Sequence, residues 1–239
     1  MRGRSKDCKG SVLADIAYDR VCCIVGTSLP TADGEFALSH ISTSLWTLTA
    51  AQLRDRVAST DPTPGGGSVS IVAATLGVAS IQKAVTVSLK KSAGDSARHL
   101  RLLELGSRAS ALMASLSELA DADSLAFEEY LKACALPRTT EAEKTFRRAA
   151  KEARLLRATQ IPLEAAVEMS RGLGFAEAAA RLVDEHVRSE ALAGGVLLRA
   201  SIKSVLLSVD ANLPGILDAE TGDAIKLQRS ELERVLSLP

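Results

Sequence analysis

Aromatic side chains are scarce in this chain: Trp, Tyr and Phe together make up 3% of its 239 residues, and Trp46 is the single tryptophan. Strands draw on aromatic and β-branched residues, so this scarcity beside an abundance of Ala, Leu, Val and Ser argues for closely packed helices. An excess of one charge is also missing. The 29 Lys and Arg offset 29 Asp and Glu, leaving no global field to draw the chain to nucleic acid or an anionic membrane. A long hydrophobic run is missing too: the longest, residues 71–80, falls far short of the roughly 20 needed to cross a bilayer, so no membrane anchor is expected. The start carries Arg2, Arg4 and Lys6, but Asp15, Asp19 and Arg20 interrupt the apolar stretch that a secretion signal requires. Cysteine is limited to Cys8, Cys22, Cys23 and Cys134, none with the spacing of a zinc knuckle or a redox pair, which reads as reduced thiols of a cytoplasmic protein.

What is present is ample core material, 46% hydrophobic residues, arranged with helical period from residue 48 onward. Residues 1–47 mix Gly, Ser, Asp and scattered apolar side chains without period and read as a poorly ordered extension, leaving 48–239 as one helical domain. Thr49 and Gln52 have capping-box spacing before a short helix over 53–58. After the break at 61–67, Ser68 is placed as the N-cap of a helix over 69–90. That helix is apolar or small nearly all round, as suits the centre of a bundle. Asp95 or Ser96 opens a long helix over 97–136 that Pro137 ends, and Thr140 with Glu143 forms a second capping box. The next helix is expected to stop at Gly172 and Gly174 with a kink at Pro162, followed by helices over 176–187, 189–208 and 217–236. The fold expected is all-α, an antiparallel bundle of long helices.

The most specific local signal is Pro62-Thr63-Pro64-Gly65-Gly66-Gly67-Ser68 running into that central helix. Two prolines stiffen the approach, the glycines permit close approach and unusual dihedrals, and the first turn offers free N–H donors at the positive end of a helix dipole. The run lacks both the Lys-Ser/Thr ending of a phosphate loop and the strand that precedes a dinucleotide fingerprint. A packing turn and a cradle for an anion or carbonyl are both compatible with it.

This run, followed by a small-residue helix, resembles the opening motif of the formiminotetrahydrofolate cyclodeaminase / methenyltetrahydrofolate cyclohydrolase family. Asp123-Ser124-Leu125-Ala126-Phe127 is similar to the family's Asp-x-x-Ala-Phe, and residues 136–144 are similar to its Leu-Pro-Lys-x-Thr-x-Glu-Glu-Lys loop. Pro162-Leu163 and Asn212-Leu213 follow in the same order, so the resemblance covers about 48–231. The chain departs from the pattern at Thr86-Val87-Ser88, where the family has Asn-Leu-Thr ahead of Gly-Lys-Lys. It departs again at Val183-Asp184 and Ser189-Glu190, where the family has Gly-Asn and Ser-Asp, and at Ser208, where it has Asn.

The resemblance implies a folate one-carbon enzyme acting on a tetrahydrofolate derivative as substrate, with no redox cofactor and no metal, assembled as a homodimer. In cyclodeamination N10 attacks the formimino carbon on N5 and ammonia leaves; in cyclohydrolysis water attacks the methenyl carbon and a ring C–N bond opens. Both need a proton shuttle beside a positioned carbon, and a carboxylate in an apolar bundle suits that task. Asp123 is the first choice and Glu190 the second. Asp121 lies about 200° around the helix from Asp123 and cannot share its face. Pro64, Gly65, Gly66, Gly67 and Ser68 would cradle the substrate, with Thr86, Lys91 and its neighbour Lys90, and Asn212 as further contacts. Lys90 and Lys91 equally suit a helix C-terminus, and Asn212 a turn. His40, His99 and His186 form no catalytic or metal-binding set. Without an attached formiminotransferase domain the cyclohydrolase reaction is preferred, and catalysis on another amidine or cyclic imine remains open. A divergent, non-catalytic bundle is the competing expectation. Convergence of Asp123, the glycine turn and Glu190 on one cavity would favour the enzyme, and their scatter would count against it.

Overall fold

A computed structural model describes residues 43–92 and 94–237. The expected extension, 1–47, lies almost wholly outside them. Its last residues are ordered: Leu45–Thr47 form a 3-10 turn with Leu45 buried. Ser44 Oγ and the Leu45 N–H donate to the two oxygens of Asp121 at 2.6 and 2.8 Å, and the Trp46 indole donates to the Ser117 carbonyl at 3.0 Å.

Six α-helices follow. They are α1 (Ala50–Val57), α2 (Gly66–Leu89), α3 (Ser96–Cys134), α4 (Glu141–Leu182), α5 (Arg188–Asn212) and α6 (Ala219–Ser237), and no strand occurs among the described residues. Helices α2, α3, α4 and α5 form a ring in which each packs on its two neighbours, and α6 lies across α4 and α5. Short connections between consecutive long helices make the neighbours antiparallel. The fold is the all-α bundle read from the sequence.

Local signals placed most helix starts. Both expected capping boxes form, Thr49 with Gln52 and Thr140 with Glu143, and Asp95 caps α3 by accepting the Arg98 N–H at 3.0 Å. Several boundaries differ: α5 runs on to Asn212 where 208 was expected, and two others bear on packing and the site. Helix α2 begins at Gly66 with Gly65 as N-cap, so Ser68 is inside the helix and its hydroxyl is free for other use. Helix α4 does not stop at Gly172 and Gly174; it absorbs most of the helix expected over 176–187 and reaches Leu182. Gly172 serves packing there. A Cβ on it would sit 3.0 Å from side-chain atoms of both Leu112 on α3 and Leu198 on α5.

Helix α4 also continues past Pro162, which is buried. The tightest helix contact is between α2 and α5. A Cβ on Gly194 would lie 2.4 Å from the Gly77 carbonyl oxygen, so only glycine permits that approach. By length and composition α2 and the stretch Glu185–Gly215 could each cross a membrane, a possibility that run length in the sequence did not show. In this bundle α2 turns Ile71, Ala74, Val78, Ile81 and Val85 into the core.

Candidate functional site

The turn before α2 arrives through Thr63 and Pro64, whose peptide bond is cis, and Pro64 is buried. Gly65 caps the helix with extended backbone and no side-chain bond, and its carbonyl accepts the Val69 N–H at 3.1 Å. No glycine among the described residues has positive φ, so unusual dihedrals are not what these glycines supply. Their use is proximity. A Cβ on Gly67 would stand 2.7 Å from Asp123 Oδ2, while beside Gly66 there is open space.

Asp123 projects from α3 onto this first turn. Ser68, fully buried, donates its hydroxyl to Asp123 Oδ2 at 2.7 Å, and the Ser68 N–H is a second donor. Burial pushes the Asp123 carboxyl above the ordinary aspartate range, and the two Ser68 donors oppose that rise without cancelling it. The result is a carboxyl of raised pKa held at the positive end of α2, beside the open space at Gly66. One turn on, Ser70 Oγ donates to the Gly66 carbonyl at 2.6 Å and lies 2.8 Å from Ser204 Oγ on α5. On the approach, Thr63 Oγ1 donates to Glu128 Oε1 at 2.9 Å.

The structure thus brings Asp123, Gly67 and Ser68 together, with Pro64, Gly65 and Gly66 in the same turn. Asp121 faces elsewhere, bound to Ser44 and Leu45. Glu190 does not join Asp123. It accepts from Lys83 Nζ at 2.7 Å and Ser80 Oγ at 2.9 Å, and Ser80 lies about 18 Å along α2 from Ser68. The Lys83 ammonium, then the Ser80 hydroxyl, hold the Glu190 carboxyl below the usual glutamate range, which keeps it ionised at neutral pH.

Thr86, Lys90 and Lys91 are exposed still farther along, at the far end of the bundle. Asp184 there pairs with Arg98 at 2.7 Å and His99 meets Ser92 Oγ at 2.7 Å, while His186 is exposed. Asn212, the last residue of α5, donates its side-chain amide to the Ala158 carbonyl at 3.2 Å. Among the described residues no three His, Cys, Asp or Glu side chains cluster as metal ligands would. Asp123, the glycine turn and Glu190 therefore do not share a cavity within one chain. Sequence reading passed over Glu128, Ser80 and Lys83, whose roles depend on partners 65 or more residues away.

Comparison with known proteins sets this geometry in context. The family model described as formiminotransferase-cyclodeaminase matches residues 49–231. The chain is 29% identical to the methenyltetrahydrofolate cyclohydrolase of Methylorubrum extorquens over 166 residues, 69% of this chain and 78% of that protein. It is 31% identical to the formimidoyltransferase-cyclodeaminase of Sus scrofa over 174 residues, 72% of this chain and 31% of that longer protein. The fold superposes on the crystal structure of formiminotetrahydrofolate cyclodeaminase from Thermotoga maritima with a TM-score of 0.70 at 22% identity, covering 80% of this chain and 90% of the other.

Proposed function

Because the chain belongs to the formiminotransferase-cyclodeaminase family, we propose that it is an enzyme of tetrahydrofolate one-carbon chemistry, a methenyltetrahydrofolate cyclohydrolase in the first instance. The observation that carries this reading is the Asp123 carboxyl, raised above its ordinary range by burial and held against the first turn of α2. In cyclohydrolysis the Asp123 carboxylate takes one proton from the attacking water and, once protonated, returns it to the ring nitrogen as the C–N bond opens; the adduct's remaining hydroxyl proton leaves to solvent as the formyl C=O forms. A pKa moved upward from that of a free aspartate suits both halves of the exchange. The open face beside Gly66 receives the folate, and Ser68 keeps Asp123 in place. The bacterial cyclohydrolase relative, matched over 78% of its length, favours hydrolysis over deamination.

The protein would act in the cytoplasm without a redox cofactor or metal, as a homodimer. The apolar groove between α4 and α5 supports a second copy as partner: Leu192 and Val196, more than half exposed, line it with Leu173 and Ala176.

The test is the loss of 5,10-methenyltetrahydrofolate absorbance on adding purified protein, beside Asp123→Ala. Hydrolysis above background that disappears in the variant is expected. Folate binding without hydrolysis would point to cyclodeamination, and neither binding nor turnover would return the chain to a non-catalytic bundle.

A further inference from the structure

The cradle at Gly65–Gly67 is attached at both ends to one helix. On the helix side, Ser68 and Gly67 meet Asp123; on the approach side, Thr63 Oγ1 donates to Glu128 Oε1. Asp123 and Glu128 are five residues apart on α3, a rise of about 7.5 Å, and the stretch 63–68 bonds to both. Apart from the burial of Pro64, little else secures the approach. No residue of α1 is buried, Leu53 packs on the core only in part, and residues 58–62 are exposed. The other side-chain bonds of that stretch, Ser59 Oγ to the Arg56 carbonyl and the Asp61 N–H to Ser59 Oγ, stay within it.

We infer that Glu128 is a positioning residue, a latch that through Thr63 sets where the Gly65–Gly67 backbone lies relative to Asp123. Glu128 itself touches no reacting atom. Its consequence for substrate rests on the folate reading above; its consequence for the turn does not. A loosened turn loses the pre-set distance between cradle and carboxyl, the kind of small displacement that catalysis amplifies.

The experiment combines amide hydrogen exchange over 58–70 with steady-state kinetics on methenyltetrahydrofolate for the full chain, using Glu128→Ala, Glu128→Gln, Thr63→Val and the Glu128→Ala/Thr63→Val double variant. The Gln side-chain oxygen still accepts the Thr63 hydroxyl, so Glu128→Gln keeps exchange and kinetics close to those of the unaltered protein. Glu128→Ala and Thr63→Val should each speed exchange at 63–67 and raise KM by about tenfold, with the double variant no worse than either. The midpoint of the kcat–pH profile, which belongs to Asp123, should not move. Unchanged exchange in Glu128→Ala overturns the latch. Faster exchange with unchanged kcat/KM in an active enzyme overturns its positioning role, and so does a Glu128→Gln variant as impaired as Glu128→Ala. If the unaltered protein neither binds nor turns over the folate, the functional reading fails, and the exchange data still decide whether Glu128 holds the turn.

Discussion

Asn212 satisfies the carbonyl that Pro162 leaves bare. Pro162 lies inside α4 and has no N–H for the carbonyl four residues back, that of Ala158, and the Asn212 side-chain amide donates to that same carbonyl at 3.2 Å. Two short sequence features 50 residues apart, Pro162-Leu163 and Asn212-Leu213, are thereby tied by one hydrogen bond between the middle of α4 and the end of α5. Here Asn212 has a structural task, which accounts for the residue without a ligand.

The pairing predicts a dependence between the two positions. Asn212→Ala should destabilise the fold by about 1–2 kcal/mol, because the partly buried carbonyl loses its donor. In a Pro162→Ala background the helix supplies its own N–H, so the same Asn212 change should cost less than half as much. Urea unfolding of the four proteins measures the coupling, and equal costs in both backgrounds would rule out this role for Asn212.

Asp123 links stability to pH with a definite sign. Its folded carboxyl has a raised pKa, so the folded state holds the proton more tightly than the unfolded chain does. The resulting destabilisation is absent below the unfolded aspartate pKa, grows as pH rises toward the folded value, and is complete above it. Asp123→Asn should therefore melt higher than the unaltered protein at pH 7 and 8, with the gap closing near pH 4, while folate turnover is lost. A variant melting lower at every pH would contradict the burial argument.

Adjacent glycines in the turn should respond differently. Gly67→Ala drives a methyl to within 2.7 Å of Asp123 Oδ2, and displacing that short side chain should lower kcat by about 100-fold with a smaller effect on melting. Gly66→Ala meets open space and should leave stability unchanged or raise it by up to about 1 kcal/mol through helix propensity. Thermal melts and kcat of the two variants separate the cases.

The α2–α5 contact offers a second pair. Gly194→Ala would place a Cβ 2.4 Å from the Gly77 carbonyl oxygen and 2.5 Å from Ile81 Cγ1, and should cost about 3 kcal/mol. Gly195→Ala makes only an ordinary 3.5 Å contact with Ala176 and should change stability little. Chemical denaturation compares them directly.

Val196→Glu puts a charge in the exposed apolar groove between α4 and α5 without disturbing the core. The unaltered protein should run at the mass of two chains in light scattering, and the variant at the mass of one. A monomer in both cases would remove the second copy from that groove.

The sequence by itself determined the helical class and most helix starts, because these depend on neighbours a few residues apart, while Asp123 was singled out through the family resemblance. Thr49 finds Gln52 and Thr140 finds Glu143 within one turn, and the spacing of Asp121 and Asp123 already puts them on different faces. Local rules failed where a distant group changed the balance. Gly172 reads as a helix stop, yet Leu112 and Leu198 close over it and the helix continues. Ser68 reads as a cap, yet its hydroxyl belongs to Asp123, 55 residues away. The separation of Glu190 from Asp123, the attachment of Thr63 to Glu128 and the repair of Pro162 by Asn212 were likewise decided by the tertiary structure alone. Each depends on which helix faces come together, and side-chain burial across the whole bundle sets that.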